Sequence, residues 1–501
     1  MNDFMGLDIA ALLEENHLLR EENRCLREEN QRLREENQSL RELVARQQEQ
    51  IAELVKRIET LEERLAKNSS NSSKPPSQDP PSMKRPAKTA TGRTRGGQIG
   101  HKGVGRKMLP LDQVDHVVEV KPEVCQGCGV RLEGDDEQPG RHQVVELPEI
   151  RPEVTEYRIH ELICPCCGER TIGEWPSGVP TGAFGVRLMS AVAMLSGVYR
   201  ISRRKVTCLL SELFGVEMGT GSVSSCEKQV SRSLEALVEE ALIHVREQSA
   251  LNVDETSWRE SGRKAWLWVA TSLSGLVTVF MIHAHRSQEA AKSLLGTFSG
   301  ILISDRYSAY TPWPLENRQA CWSHLRRDFK AMSERSGDGG RIGLSLFEAS
   351  HQLFEKWHQF REGILEDVVF REEMTRIQTT VEDLLREGAA CSDAKMAGKC
   401  AKIFSVAPAL WTFVRMPGVE PTNNAAEREV RHGVLWRKGS FGSDSPAGSR
   451  FAERIMTVSA TCRQQKRNVL AFLIEAVEAR LRDKPAPSLL PFQEVKVFQP
   501  T

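Results

Sequence analysis

A multidomain α+β protein is what the 501-residue sequence predicts. Three observations carry the prediction. A leucine heptad lies near the N-terminus, and two CxxC pairs precede residue 170. After residue 250 comes a strand, hairpin, helix and strand pattern in which acids interrupt apolar runs. The chain is longer than one ordinary core can fill. Hydrophobic content of 40% and charged content of 27% are those of a soluble protein. Formal net charge is zero, so partners have to be read from local charge. No run of about 18 apolar residues occurs, which excludes a membrane partner by a spanning helix. The N-terminus lacks the basic start and cleavage site of a signal peptide. A cytoplasmic protein is expected, with its twelve cysteines as thiols or metal ligands.

Residues 1–67 are expected to form a parallel homodimeric coiled coil. Leu12, Leu19, Leu26, Leu33 and Leu40 fall seven apart, and Leu54 and Leu61 keep the register. The other seam position holds Asn16, Asn23, Asn30 and Asn37, then Val44, Ile51, Ile58 and Leu65. Glu15/Arg20, Glu22/Arg27, Glu29/Arg34 and Glu36/Arg41 have the spacing that pairs charges between parallel helices. Seam asparagines cost stability but penalise other registers. A lone solvated helix would leave the leucine stripe with nothing to bury it.

Residues 68–107 read as a flexible basic linker. "KNSSNSSKPPSQDPPS" ends the helix. The arm that follows has many cations and no acid, which suits phosphate contacts without base reading. Lys84, Arg85, Arg93, Arg95, Lys102, Arg106 and Lys107 are the expected DNA contacts.

Residues 108–180 read as a zinc ribbon. Cys125 and Cys128 in "CQGCG" and Cys164 and Cys167 in "CPCCG" supply four soft thiolates for one structural Zn²⁺. "HQVVELPEIRPEVTEYRIHELI", between the pairs, is expected to form strands of a long hairpin. Cys166 is a spare thiol that competes for a ligand position. Residues 181–245 read as a helical, helix-turn-helix-like DNA-binding domain. Arg203, Arg204 and Lys205 open one helix, and a Ser-rich cap opens the next.

The segment from residue 246 holds the chemistry. "LNVDETSW" reads as a strand carrying Asp254, and "KAWLWVATSLSGLVTVFMIHAHRS" as two strands joined at "SLSG". A Ser-capped helix follows, then the buried strand "GILIS" ending on Asp305, then a short strand entering a helix at "RQACWSHLRRDF". That order matches a ribonuclease-H-like fold, in which the first and fourth strands are neighbours. Two carboxylates so placed repel unless a cation sits between them. Two Mg²⁺ (or Mn²⁺) are the expected cofactors. Asn423 or Asn424 caps a helix through "AAEREV", with Glu427 in its first turn; on composition, Glu429 and Glu453 compete with it as third ligand. Arg428, Arg431, Arg437 and Lys438 are expected to meet phosphates. His324 and Arg327 are assigned equally to orienting the site or to serving their own helix.

"KNSSNSSKPPS", "GGQIGHKG", the paired CxxC, "VDET", "SDRYSAY", "CWSHLRRDF" and "TNNAAERE…WRKGSFGSDSPAGSRFAERIMTV" together resemble the transposases of the bacterial insertion-sequence-66 family. These motifs cover nearly the whole chain. The resemblance implies a DDE recombinase and selects Glu427 as the third acid. It also implies a helical insertion over 331–418 within a catalytic domain over 246–485, with 486–501 as a tail. It further implies strand cleavage and strand transfer at terminal inverted repeats and target DNA, on the bacterial nucleoid, with accessory proteins of the same element. Arg306 after Asp305 and the extra Cys166 depart locally from the pattern. Two rival readings remain open: a non-catalytic dimeric zinc-dependent DNA-binding regulator, and a metal nuclease of the same fold that cuts without joining.

Overall fold

The structure is a computed structural model that describes residues 9–72 and 107–491. The chain divides into two units, residues 1–83 and 84–501. In the first, helix α1 runs unbroken over Ile9–Ala66. No Gly or Pro interrupts it, and Leu, Glu and Arg are good helix formers. The seam leucines are about half exposed on the single chain, Leu19 at 48% and Leu40 at 52%. The seam asparagines turn back on their own helix; the Asn23 amide donates to the Leu19 carbonyl at 2.9 Å. Of the expected arm contacts, Lys84, Arg85, Arg93, Arg95, Lys102 and Arg106 lie outside the described residues, and Lys107 is exposed.

The second unit is mixed α+β. The described residues of its first part hold a 3-10 turn at Leu111–Gln113, an isolated bridge between Val124 and Arg131, and a two-stranded hairpin, β1 (Glu161–Ile163) with β2 (Arg170–Ile172). The strands expected across residues 142–160 do not form. The period-2 pattern is there, but Pro148 and Pro152 remove ladder donors. Val144, Leu147 and Val154 also find no surface to pack on, and remain exposed.

Helices α2 (Val186–Ala193), α3 (Arg203–Phe214), α4 (Thr220–Ser233) and α5 (Glu235–Arg246) follow. Ser202 caps α3 by accepting the Lys205 amide. Helix α4 is capped by Gly219; the serines expected to cap it, Ser222, Ser224 and Ser225, lie inside it. These helices do not close a core of their own. Met189, Val206, Val230 and Ala241 belong to one continuous apolar cluster with Leu251, Trp268, Leu302, Ile455 and Leu473.

A five-stranded sheet organises the remainder. Its strands are β3 (Ala250–Glu260), β4 (Arg263–Ser272), β5 (Thr278–His283), β6 (Ile301–Ser304) and β7 (Arg318–Ala320), in the order β5-β4-β3-β6-β7. The first three form antiparallel hairpins, and β6 and β7 add in parallel. Helix α6 (Gln288–Leu295), capped by Ser287, makes the crossover to β6. Residues 250–253 and 301–304 are buried throughout, as apolar runs covered on both faces should be.

Beyond β7 the chain builds a helical subdomain: α7 (Trp322–Ser333), α8 (Gly337–Arg361), α9 (Asp367–Ala389), α10 (Ala394–Phe404) and the single turn α11 (Thr412–Arg415). Trp322, Phe329, Leu353, Phe370, Leu385 and Trp411 share its core. The subdomain returns the chain to the sheet as α12 (Asn424–Ser440), α13 (Pro446–Gln464) and α14 (Val469–Leu481). Helix α12 lies hard against β4: a Cβ on Gly433 would stand 2.0 Å from Leu267 Cδ2. Part of the expected tail is docked. Leu489 is fully buried, and its amide donates to Glu240 at 3.3 Å.

Candidate active site

Three acids arrive from three elements. On the paired strands, Asn252 faces Ile303. Two residues further along each strand stand Asp254 and Asp305, so both acids share one face of the sheet. Asp305 lies just past the end of β6, and its Oδ1 accepts the Tyr307 amide at 2.9 Å. Glu427 sits in the first turn of α12. What brings that turn to β3 is Asn423. It occupies the cap position, but its side chain makes no cap bond. Its amide donates instead to the Val253 carbonyl at 2.7 Å, the residue before Asp254, and its backbone N–H donates to Cys321 Sγ at 3.3 Å. The expected capping role is thus replaced by a pin between helix and sheet.

The electrostatics match this convergence. Burial pushes the Asp254 carboxyl well above its ordinary range, and the charges of Glu255, Asp305 and Glu427 push it further. The Glu255 amide, which donates to Asp254 Oδ1 at 2.9 Å, opposes the shift only in part. Glu427 Oε1 lies 3.5 Å from His324 Nδ1 and 3.9 Å from an Arg327 nitrogen. Both Oε1 and Nδ1 are buried without a hydrogen-bond partner. A buried carboxylate oxygen without a hydrogen bond, on an acid whose charge reaches buried Asp254, is what a cation site looks like in its protein component. The hard oxygen donors fit Mg²⁺ or Mn²⁺.

One grouping goes beyond the three acids. Cys321, His324 and Glu427 place ligand atoms within 4.8 Å of one another, the only such cluster found among the described residues. Cys321 and His324 are three apart at the head of α7, hence on one helix face. That spacing was the available sequence signal. Burial, then Glu427, pushes the Cys321 thiol up to about 11.

Glu255, next to Asp254, points to the other face. Its fully buried side chain accepts from Arg286 Nε at 2.8 Å and from the Tyr310 hydroxyl. Arg286 stacks over the Tyr307 ring at 3.7 Å, and the Tyr307 hydroxyl donates to the Arg286 carbonyl at 2.6 Å. Tyr307 in turn holds Asp305. The pattern of alternating residues did not single out this brace.

The competing acids are engaged elsewhere. Glu429 stands 3.7 Å from His432 on its own helix. Glu453 is buried on α13, accepts the Ile282 amide and pairs with Arg450 at 3.0 Å. Its burial raises the carboxyl to about 7 against the pull of Arg450 and that amide. Because the folded value is raised, the stability linked to its proton is present in acid and lost as pH rises through about 7. Glu453→Gln should therefore be more stable relative to wild type at pH 8 than at pH 5, read as the difference in Tm at the two pH values.

Of the expected phosphate contacts, Arg428, Arg431 and Lys438 are exposed. Arg437 is not available in the same way. It turns inward on β3, donating to the Ser257 carbonyl and hydroxyl and to Thr256 Oγ1 at 3.3 Å.

The two CxxC pairs fold as matching knuckles. Cys125 N–H donates to Val130 O and Cys164 N–H to Glu169 O, each at 2.8 Å. The turns close through Gly129 and Gly168 at φ +76° and +74°, a backbone state that favours glycine. Amides of Gly127 and Cys128 lower the Cys125 thiol, and amides of Cys167 and Cys166 lower Cys164. Cys166 thus takes the turn position of Gly127. No three of the four expected ligands lie within 4.8 Å of one another.

Comparison with known proteins follows the same outline. The model of the Transposase IS66 family matches residues 181–451. A second model, Family of unknown function (DUF6444), matches residues 20–107. Among curated relatives, "Uncharacterized protein y4qI" of Sinorhizobium fredii (strain NBRC 101917 / NGR234) is 24% identical over 417 residues, 76% of this chain and 74% of that protein. "Uncharacterized protein y4hP" of the same strain is 24% identical over 430 residues, 77% and 75% of the two chains. The family match spans more than half the chain and takes in all three acids, so the protein belongs to the Transposase IS66 family.

Proposed function

We propose that this transposase cuts DNA at transposon ends and joins the freed strands to target DNA, with Asp254, Asp305 and Glu427 as ligands of two divalent cations, Mg²⁺ or Mn²⁺. The observation that carries the reading is buried Asp254 under the charges of Asp305 and Glu427, with a buried Glu427 oxygen that has no hydrogen bond. The central placement of β3 beside β6 supports a ribonuclease-H-like catalytic domain over residues 246–485, with 331–418 inserted. Bound cations would supply an activated water or 3′-hydroxyl and neutralise the leaving oxygen. Asn423 holds the Glu427 turn against β3, and Tyr307 orients Asp305. Arg428, Arg431 and Lys438 offer charge to phosphates.

Metal-dependent joining of a transposon-end duplex to a plasmid tests the reading. End binding without nicking would favour a regulator, and nicking without joining a nuclease.

The same reading assigns 1–67 to dimerisation, 68–107 and 181–245 to DNA contact, and 108–180 to one structural Zn²⁺ held by Cys125, Cys128, Cys164 and Cys167. The residues fit that ion in donor chemistry, and backbone amides lower the Cys125 and Cys164 thiols. Purified reduced protein should contain about one zinc per chain. Cys167→Ala should lose it and Cys166→Ala should keep it; the reverse result would transfer the ligand role. For the coil, sedimentation of residues 1–67 at micromolar concentration should give a dimer, and a monomer would refute the seam.

A further inference from the structure

We propose that His324 is a ligand of the same cation site, giving it a mixed nitrogen and oxygen set that favours Mn²⁺ over Mg²⁺. The inference rests on the reading that the three acids hold divalent cations, and adds a residue that the acidic triad does not contain. The position of His324 is tightly set. Cys321 N–H donates to the Ser304 carbonyl, the residue before Asp305, and Trp322 N–H donates to the Pro421 carbonyl just ahead of α12, each at 2.9 Å. The Trp322 indole donates to the Leu410 carbonyl at 2.7 Å. The head of α7 is therefore anchored to both strands of chain that present Asp305 and Glu427.

His324 Nδ1 and Glu427 Oε1 face each other at 3.5 Å, both buried and neither hydrogen-bonded. A direct N–H···O bond would close such a pair to about 2.9 Å. Two neighbouring ligands on one cation, with bonds of about 2.1 Å, stand about 3 Å apart. The gap fits a shared ion with a small adjustment, and it leaves two lone pairs otherwise unused. Cys321 Sγ is close by but already accepts the Asn423 N–H, and a thiol suits hard cations poorly. Arg327 has no lone pair to offer. Mg²⁺ demands oxygen ligands more strictly than a transition ion does, and an imidazole tilts the choice toward Mn²⁺.

The test uses the full-length protein and Mn²⁺, which is paramagnetic and distinguishable from thiolate-bound zinc. Electron spin-echo spectra of bound Mn²⁺ should show nitrogen coupling that changes on ¹⁵N-histidine labelling. The coupling should vanish in His324→Ala, with Mn²⁺ affinity weakened about tenfold or more, and persist in Cys321→Ser. Asp254→Asn should lose the Mn²⁺ itself. Mn²⁺ that binds wild type, is lost in Asp254→Asn and shows no histidine coupling would overturn the His324 assignment while leaving the acid triad intact. Folded wild type that retains no Mn²⁺ would overturn both.

Discussion

Asp254→Asn is expected to raise the Tm of the metal-free protein at pH 8 while reducing strand joining at least about a thousandfold, as loss of one member of a catalytic unit does. The two effects have one cause. The Asp254 carboxyl is held well above its ordinary range by burial and by Glu255, Asp305 and Glu427. A folded value raised above the unfolded one contributes stability below the unfolded pKa, and that contribution is lost as pH rises through the folded value. By pH 8 wild type has lost part of that contribution, whereas asparagine has no proton to lose. The side-chain carbonyl of the substituted asparagine would still accept the Glu255 amide, so the strand keeps its geometry. Toward acid pH the gap between variant and wild type should shrink. Mg²⁺ should reverse the order, because a ligand that binds only the folded state adds about 2.7 kcal/mol at a hundred times its Kd. Wild type gains that term and the variant does not. Calorimetric scans with and without Mg²⁺ decide the matter. A variant less stable than wild type in metal-free buffer at pH 8 would contradict the account, and joining at the wild-type rate would remove Asp254 from the site.

The acids differed in how far local sequence exposed them, and the reason is physical. Asp254 and Asp305 interrupt or end apolar runs, where an unpaired carboxylate is costly, so burial alone marks them. Glu427 carries no such mark. On its own segment it looks like Glu429, and only the family motif selected it; the geometry that separates the two depends on β3, some 170 residues away. Asn423 holds the cap position that local sequence assigns it, but its side chain bonds a distant partner that a local rule does not show. Arg437 was expected to face phosphate because it belongs to a basic run, yet the close packing allowed by Gly433 brings its helix within reach of Ser257. The opposite failure occurs at residues 142–160. There the alternation is right for a strand, but no neighbouring surface rewards it. Pattern reports what a segment can bury, and the outcome depends on whether anything comes to cover it.

Arg286→Met is expected to destabilise the protein by about 3 kcal/mol and to lower joining through Asp305 without touching a metal ligand. Arg286 is the cationic partner of Glu255, whose side chain is wholly buried. Burial and Asp305 raise the Glu255 carboxyl, while the Tyr310 hydroxyl and Arg286 pull it back. Removing the guanidinium leaves a buried charge with one hydroxyl for company. The cost belongs to the orphaned partner more than to the bond, so Arg286→Met/Glu255→Gln should be more stable than Arg286→Met alone. Arg286→Lys tests geometry, since an ammonium keeps the charge but cannot reproduce the fork or the flat stack on Tyr307. That stack and the Tyr307 hydroxyl bond to the Arg286 carbonyl position the loop whose amide holds Asp305. Arg286→Lys should therefore fold nearly as wild type yet join strands more slowly, with end binding unchanged. A double variant no more stable than Arg286→Met would show that the charge pair is not what the brace depends on. Wild-type joining by Arg286→Lys would disconnect the brace from Asp305.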